Sequence, residues 1–257
     1  MHDDIRLEGA TNFRSLGGLP AARGRRVRPF ALMRADRLRG LTPDDWSRLA
    51  QAGLTTICDL RSRGEREAHP NAVPARAGLR EVHCEIRNDL RGDPTLALLL
   101  QDDPTSAGAE RLMQEIYRRF PASMGGTLRT LTDLLLDGGA PLLVHCSAGK
   151  DRTGFSIAML LHALEVPAAR IWDDYLASSG WPGAAAHRAS LGSLLANFVP
   201  ATALEGVLDA VLDVRASYLQ TALEAIAAGY GTVDRYLSAE AGLDPDRRAR
   251  LQDMLLS

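Results

Sequence analysis

The chain has 257 residues, of which 46% are hydrophobic and 24% are charged, and its formal net charge is -2. These are ordinary values for a globular protein with a sizeable core, and they give no reason to expect nucleic acid or an anionic membrane as a partner. Three widely spaced cysteines argue against a disulfide framework and for a reducing compartment.

The N-terminal segment MHDDIRLEGA has neither a basic start nor an apolar run, so we expect no signal peptide. The longest apolar stretches are shorter than a membrane span, so we expect no stable membrane insertion. The sequence therefore predicts a cytoplasmic protein, with export by a route that leaves no such signal as the alternative. The arginine-rich stretch at 22–29 is interpreted as a solvated loop and strand entry, or else as a docking patch for an anionic partner.

The first predicted elements are a helix and two strands. In LTPDDWSRLAQAG (41–53), Thr42 is a candidate N-cap, Pro43 suits the first helical position and Gly53 marks the end of the helix. Two short segments follow: 54–60 predicts a buried strand, and 79–86 predicts another strand.

The middle of the chain continues the alternation of helices and strands. Residues 87–106 contain two prolines and several Asp, which predicts mostly loop. Four segments come next: a helix at 107–120 that stops at Pro121, a helix at 127–137 that stops at Gly138, a short apolar strand at 140–146 and a helix at 152–165. This order predicts an α/β fold with a mainly parallel central sheet flanked by helices.

From residue 167 to 257 the pattern is entirely helical, and we expect the whole chain to form one domain. Two apolar stripes have helical spacing: Leu191, Leu194, Leu195 and Phe198, and then Leu204, Val207, Leu208, Val211 and Leu212. The stripes indicate either a packed helical layer or a mobile lid formed by residues 180–228.

The stretch VHCSAGKDRTG (144–154) connects a predicted strand to a predicted helix. A short loop in this place presents successive backbone N–H groups at a helix N-terminus, which is an anion-binding arrangement. Gly149 and Gly154 allow a tight turn, and Arg152 offers two parallel donors to phosphate oxygens.

Cys146 lies at the base of this loop. Helix N-termini and neighbouring cations favour the thiolate form of cysteine, so we expect Cys146 to act as a nucleophile towards phosphorus. Thr153 can donate a hydrogen bond to the sulfur. Cys58 and Cys84 do not begin a glycine-containing loop into a helix, so both are interpreted as core residues.

Lys150 is the one lysine among 30 basic residues, and it lies in the same loop. Lysine presents a compact, rotatable ammonium where arginine presents a planar fork. We interpret Lys150 as a point charge for additional phosphates or for the scissile group.

The segment HCSAGKDRTG resembles the Cys-x5-Arg-Thr-Gly signature of cysteine-dependent phosphatases, in the form found in bacterial atypical tyrosine phosphatases of dual or triple specificity. Five further segments resemble that family in the same order: TNFRSLGG (11–18), LMRADRL (32–38), DLRSRGE (59–65), YRRFP (117–121) and YGTVDRYL (230–237). The resemblance implies hydrolysis of phosphotyrosine, and often of phosphoserine, phosphothreonine or phosphoinositides, without a metal or other cofactor.

The resemblance also implies roles for individual residues. Cys146 would become phosphocysteine, while Arg152 and the loop N–H groups hold the phosphoryl oxygens. The expected substrate-binding residues are Ser147, Ala148, Gly149, Lys150, Thr153 and Arg61.

Two residues compete for the role of general acid. Asp151 lies inside the loop, but the neighbouring cations Lys150 and Arg152 disfavour its protonated form. Asp89 lies in the loop after the predicted strand at 79–86, where related phosphatases carry a movable acid.

Three further polar residues lie in segments that resemble the family. Arg61 is either a substrate contact or loop brace, or one half of a structural ion pair. Asn12 and Arg14 are interpreted as structural.

Two other functions fit parts of the pattern. One is a different cysteine-loop enzyme, such as a sulfurtransferase or an arsenate reductase, and the other is an inactive phosphoprotein-binding module. The Arg-Thr-Gly helix start argues against the first, and the presence of both Cys146 and Arg152 argues against the second.

Overall fold

The computed structural model describes residues 5–74, 78–86, 94–197 and 199–257. These residues include one five-stranded sheet with the strand order β1-β2-β5-β3-β4. Its strands are β1 (Arg14–Ser15), β2 (Leu32–Ala35), β3 (Thr56–Asp59), β4 (Arg80–His83) and β5 (Leu142–His145). β1 pairs antiparallel with β2 and the other pairings are parallel, which confirms the predicted α/β fold with a mainly parallel sheet.

Helices surround this sheet and form the C-terminal part of the chain. They are α1 (Pro43–Gln51), α2 (Arg63–Ala68), α3 (Pro94–Asp102), α4 (Ser106–Leu136), α5 (Asp151–Ala163), α6 (Ala168–Leu176), α7 (Ala184–Leu195), α8 (Ala201–Leu212), α9 (Ala216–Tyr230), α10 (Val233–Ala241) and α11 (Pro245–Leu255). α1 begins as predicted, because the Thr42 side chain accepts from the Asp45 N–H and the Asp45 side chain accepts from the Thr42 N–H. Within the described ranges, no helix has both the length and the apolar surface that a bilayer crossing requires.

The predicted break at Pro121 is wrong, because 107–120 and 127–136 belong to the single helix α4, which Asp137 caps. A proline in a helix interior costs about 3 kcal/mol, so tertiary contacts must offset it. The Pro121 carbonyl accepts a hydrogen bond from the Tyr236 hydroxyl of α10 at 3.0 Å. At Gly125, a Cβ would lie 2.6 Å from Glu240 Oε2, so this glycine allows α10 to approach α4 closely.

The prediction of mostly loop at 87–106 is also wrong for the part that the structure describes. α3 occupies Pro94–Asp102 within that range. Leu96 and Leu100 are both fully buried, and their spacing of four residues places them on one helix face. Burial of this apolar face stabilises a helix, although the prolines and aspartates of the segment favour a loop in the sequence.

Alternate strand residues face two different cores, as the pleat of a sheet requires. Cys58 and Val144 lie in the larger core with α4 and α5, whereas Ile57 and Leu143 lie in the smaller one with α1. Cys58 and Cys84 are both buried in the larger core, in keeping with the packing role expected for them.

The carboxyl ends of the central strands lie side by side. Ala35 of β2 and Asp59 of β3 are each in register with His145 of β5. The loops that follow these strands therefore meet at one edge of the sheet, where sites of α/β proteins lie.

The C-terminal helices form a layer that packs against α4. Of the predicted stripes, Leu195, Val207, Leu208 and Leu212 are buried, while Leu191, Leu194, Leu204 and Val211 are partly buried. Phe198 lies outside the described residues. Movement of residues 180–228 as a lid, and the single-domain organisation, stay predictions.

Candidate active site

The loop between β5 and α5 places Cys146 directly after the strand. Cys146 is 2% exposed, and its Sγ accepts a hydrogen bond from the Gly149 N–H at 3.2 Å. The loop therefore folds back over the sulfur, with a backbone donor aimed at it.

Gly149 has a φ of 69°, which lies in the left-handed region that favours glycine. A Cβ at this position would be 2.5 Å from the Ala35 carbonyl oxygen at the end of β2. Both the backbone conformation and the close approach to β2 therefore require glycine here.

On the side away from the sulfur, which we call the rear face, three successive loop carbonyls accept hydrogen bonds. The Ser147 carbonyl accepts from the Arg37 N–H at 3.2 Å, the Ala148 carbonyl from Asn12 Nδ2 at 2.9 Å and the Gly149 carbonyl from Arg34 Nη2 at 2.6 Å. In a trans peptide the following N–H points opposite to the carbonyl. The N–H groups of residues 148–150 therefore point away from the rear face, as an anion cradle requires.

The donors at the rear face are held by a buried ion-pair cluster. Asp174 of α6 contacts Arg34 Nη1 at 2.5 Å and Arg14 Nε at 2.7 Å. Burial opposes ionisation of Asp174, but the charges of Arg34 and Arg14 outweigh it and lower the pKa of this carboxyl. Burial lowers the pKa of Arg14 to about 10, with a smaller contribution from Arg34, so Arg14 remains charged at neutral pH.

On the opposite side, which we call the front face, Arg152 is held by Glu65 of α2. Its Nη1 and Nη2 donate to the two carboxylate oxygens at 2.7 and 2.8 Å, and the Ser147 hydroxyl donates to the same carboxylate at 2.5 Å. Burial opposes ionisation of Glu65, but the hydrogen bonds and charge of Arg152 outweigh it and lower its pKa far below the usual range. Glu65 therefore orients the arginine fork and the first turn of the loop together.

Glu65 was not among the residues predicted from the sequence. The available signal was the Ser62-x-x-Glu65 pattern within DLRSRGE, since both halves of a capping box form at the start of α2. The Ser62 N–H donates to Glu65 Oε2 at 2.8 Å, which leaves the carboxylate facing Arg152.

Asp151 is the first residue of α5, and its side chain is 23% exposed. Its Oδ1 accepts from the Tyr117 hydroxyl at 2.9 Å and from Lys150 Nζ at 2.9 Å. Lys150 is only 3% exposed, and its Nζ also donates to the Asp213 carbonyl at 3.2 Å. The single lysine is thus held against the candidate acid rather than extended into solvent.

The remaining predicted site residues have different surroundings. The Thr153 hydroxyl is buried without a hydrogen-bond partner in the described part of the chain, so its proposed bond to the Cys146 sulfur is not formed here. Arg61 is 1% exposed and contacts Asp59, the His69 carbonyl and Asn71, which favours the ion-pair alternative. Asp89 lies outside the described residues.

His145 lies beneath the loop and is fully buried. Its Nδ1 is 3.2 Å from the Cys146 carbonyl oxygen, and its Nε2 is 3.3 Å from Asn71 Nδ2. Burial lowers the pKa of His145 to about 4, so the ring is neutral at pH 7. In the described residues, no group of three or more His, Cys, Asp or Glu side chains is arranged to hold a metal ion.

Comparison with known proteins finds phosphatases by family model and by sequence identity. A family model for the tyrosine phosphatase family matches residues 5–257. A Cupriavidus necator protein named as a tyrosine-protein phosphatase is 36% identical over an alignment of 245 positions that covers 91% of this chain and 82% of that protein. The triple specificity protein phosphatase PtpB of Mycobacterium tuberculosis is 32% identical over an alignment of 279 positions that covers 97% of this chain and 98% of that protein.

Proposed function

The chain belongs to the tyrosine phosphatase family and is a cysteine-dependent phosphatase, and from this premise we propose that Cys146 is its nucleophile and Asp151 its general acid. The observation that carries the proposal is the convergence on one loop of the Cys146 sulfur, outward N–H groups, the Arg152 fork and the Asp151 carboxyl. These are the groups that phosphoryl transfer through a cysteine requires.

In the first step, the sulfur anion of Cys146 forms an S–P bond while the P–O bond to the leaving group breaks. Asp151 gives its proton to the leaving oxygen, so the alcohol departs neutral and Asp151 becomes a carboxylate. Arg152 and the loop N–H groups bind the three remaining phosphoryl oxygens, where charge is greatest.

In the second step, water attacks the phosphorus of phosphocysteine and the S–P bond breaks. The Asp151 carboxylate takes a proton from the water, so inorganic phosphate leaves and both Asp151 and the Cys146 sulfur return to their starting forms. Asp151 thus gives a proton in the first step and takes one in the second, while Cys146 first forms and then loses its bond to phosphorus. The cycle consumes one water for each monoester hydrolysed.

Asp151 enters the first step with a proton on its carboxyl group. Lys150 Nζ and the Tyr117 hydroxyl both contact this carboxyl group, so its position beside the loop is fixed by two donors.

For the substrate, we propose phosphotyrosine, with phosphoserine, phosphothreonine and phosphoinositides as further substrates. The support is the triple specificity in the name of the mycobacterial relative and the cation of Lys150 beside the cradle. A panel of phosphopeptides and phosphoinositides compared by kcat/KM tests this range. Turnover of phosphotyrosine alone would restrict the proposal to that one substrate.

The alternative functions lose their support. Membership of a phosphatase family argues against a sulfurtransferase or an arsenate reductase. An inactive binding module would lack the nucleophile or the arginine, and this chain has both Cys146 and Arg152.

The test is hydrolysis of an aryl phosphate in the presence of EDTA by the wild type, Cys146→Ser and Cys84→Ala. We expect EDTA to leave the rate unchanged and Cys146→Ser to lose at least about 1,000-fold, because a serine hydroxyl is a far weaker nucleophile than a thiolate at neutral pH. Cys84→Ala removes a buried thiol elsewhere and should retain most of the activity. Normal turnover by Cys146→Ser would refute the assignment.

A further inference from the structure

We propose that Tyr117 of α4 is a positioning residue for Asp151: its hydroxyl holds Oδ1, so that Oδ2 is the oxygen that carries and delivers the proton. This inference rests on the role of Asp151 proposed above. It adds a residue from a helix 34 positions earlier in the chain, outside the loop that carries the chemistry.

The contact is the second of two consecutive hydrogen bonds that lead from Tyr175 to Asp151. The Tyr175 hydroxyl of α6 donates to the Tyr117 hydroxyl at 2.9 Å, and the Tyr117 hydroxyl donates to Asp151 Oδ1 at 2.9 Å. Both tyrosines are fully buried. Because the Tyr117 oxygen receives the proton of Tyr175, its own proton is directed to Asp151.

The two carboxyl oxygens of Asp151 are therefore not equivalent. Lys150 Nζ lies 2.9 Å from each of them and does not distinguish one from the other. Tyr117 donates to Oδ1 and thereby does distinguish them. A proton on Oδ1 would oppose this donor, so the neutral acid carries its proton on Oδ2.

Tyr117 stays a donor throughout the working pH range. Burial raises the pKa of Tyr117 well above its usual value, and the neighbouring charge of Asp151 raises it further. Burial likewise raises the pKa of Tyr175. The hydroxyl chain therefore orients the acid without taking up its proton.

Other ionisable groups face this region from neighbouring elements. Tyr218 of α9 interacts electrostatically with Asp151. The charged groups that act on Tyr218 in turn are Arg215, Glu110 and Asp213. None of them replaces the hydrogen bond from Tyr117, so removal of that bond is a defined change.

The position of the Tyr117 hydroxyl is set by ring packing. Its ring centroid lies 4.7 Å from that of Phe120, 5.8 Å from Tyr218 and 6.3 Å from Tyr175. A ring enclosed on several sides has one orientation available, which is the condition for precise placement of a catalytic group.

The test compares Tyr117→Phe with the wild type on aryl phosphates of increasing leaving-group pKa, using kcat/KM. Tyr236→Phe is the matched control, because it removes an equally buried hydroxyl that donates to the Pro121 carbonyl. With phenyl phosphate we expect Tyr117→Phe to lose about 10-fold, within the range that a hydrogen bond to a charged group contributes. With the best leaving groups, which need little protonation, the loss should be small.

The dependence on the leaving group is a readout that a purely structural role would not change, because only a defect in proton delivery separates poor leaving groups from good ones. Tyr175→Phe keeps the Tyr117 hydroxyl but removes the donor behind it. It should reduce kcat/KM for phenyl phosphate by about 2- to 3-fold, with a smaller loss for the best leaving groups, and it provides the same test if Tyr117→Phe does not fold.

The outcomes separate this inference from the proposed function. Equal losses for all leaving groups in Tyr117→Phe would overturn the role of Tyr117. If Asp151→Asn itself shows no dependence on the leaving group, the proposed acid is wrong. If the loss in Asp151→Asn depends on the leaving group but Tyr117→Phe behaves like the control Tyr236→Phe, the positioning role alone is refuted.

Discussion

The rear and front faces of the loop differ in what their polar groups contact. At the rear, loop carbonyls accept from Asn12 and Arg34, and Arg34 is itself paired with Asp174. At the front, Arg152 contacts Glu65 and Asp151 contacts Tyr117. In the proposed mechanism the rear groups take no part in the reaction, whereas Arg152 binds the phosphoryl oxygens and Asp151 changes its charge.

This difference teaches how one short loop serves two purposes. Its carbonyls are bound at the rear, so its N–H groups remain available at the front. Variants of the rear face should therefore lower stability first, and variants of the front face should lower activity first. Five predictions below begin with the largest expected effect, and those on Asp174 and Glu65 test that separation directly.

Asp174→Asn should lower the free energy of unfolding by about 3–5 kcal/mol, because it leaves two guanidinium groups in a buried site without their counter-charge. Urea unfolding at pH 7 measures the loss. Asp253→Asn is the control, since its partner Arg25 forms a surface pair in which the Asp253 side chain is 69% exposed, and it should cost about 0–1 kcal/mol. Equal losses in the two variants would contradict the rear-face assignment.

The same pair has a pH signature. The pKa of Asp174 is lower in the folded protein than in the unfolded chain, so its contribution is present above the unfolded value of about 3.9 and is lost as pH falls further. The stability difference between Asp174→Asn and the wild type should therefore shrink below about pH 4.

His145 tests the base of the loop, which belongs to neither face. Burial lowers its pKa from 6.5 to about 4, so below pH 6.5 the unfolded chain takes up a proton that the folded protein does not. Stability should be fully present above about pH 6.5 and should fall as pH decreases to about 4, by about 3 kcal/mol in total. Urea unfolding at several pH values in this range measures the free energy of unfolding. This free energy should change less with pH in His145→Gln than in the wild type, and an equal change in both would contradict the prediction.

Gly149→Ala should reduce kcat/KM on the order of 100-fold, because a displacement of about 1 Å at a reacting centre can cost that much. The added Cβ would meet the Ala35 carbonyl at 2.5 Å and would occupy an unfavourable φ. Gly229→Ala is the control, since nothing lies within 4 Å of its added Cβ. A fully active Gly149→Ala would show that the loop can move away from β2 without harm.

Glu65→Gln should reduce kcat/KM about 10-fold, because it weakens the charge-assisted bonds that orient Arg152. It should lower stability less than Asp174→Asn, since the Arg152 side chain is 11% exposed and that of Arg34 is 0% exposed. Glu67→Gln on the same helix removes only an exposed pair with Arg63 and serves as the control. A larger effect on stability than on activity would break the separation of the two faces.

The loop could be predicted from the sequence because its chemistry is local. A strand, a glycine-containing turn and a helix start occur within eleven residues, and their order alone implies outward N–H groups beside Cys146. The parallel sheet followed for the same reason, since helix and strand patterns alternate along the chain.

The groups that hold the loop could not be predicted, because they come from distant positions. Glu65 and Arg152 are 87 residues apart, and Arg34 and Asp174 are 140 residues apart. Pro121 illustrates the same limit in the fold, since its local preference predicts a break that packing against α10 overrides.

The sequence by itself determined the nucleophile loop, the alternation of strands and helices, and the kind of ligand that the loop suits. These properties depend on residues that are neighbours along the chain. Only the tertiary structure decided which carboxylate orients Arg152, which hydroxyl contacts Asp151 and that Lys150 lies buried beside it. The reason is physical, because hydrogen bonds and ion pairs depend on distances of about 3 Å, and folding alone brings such remote residues that close.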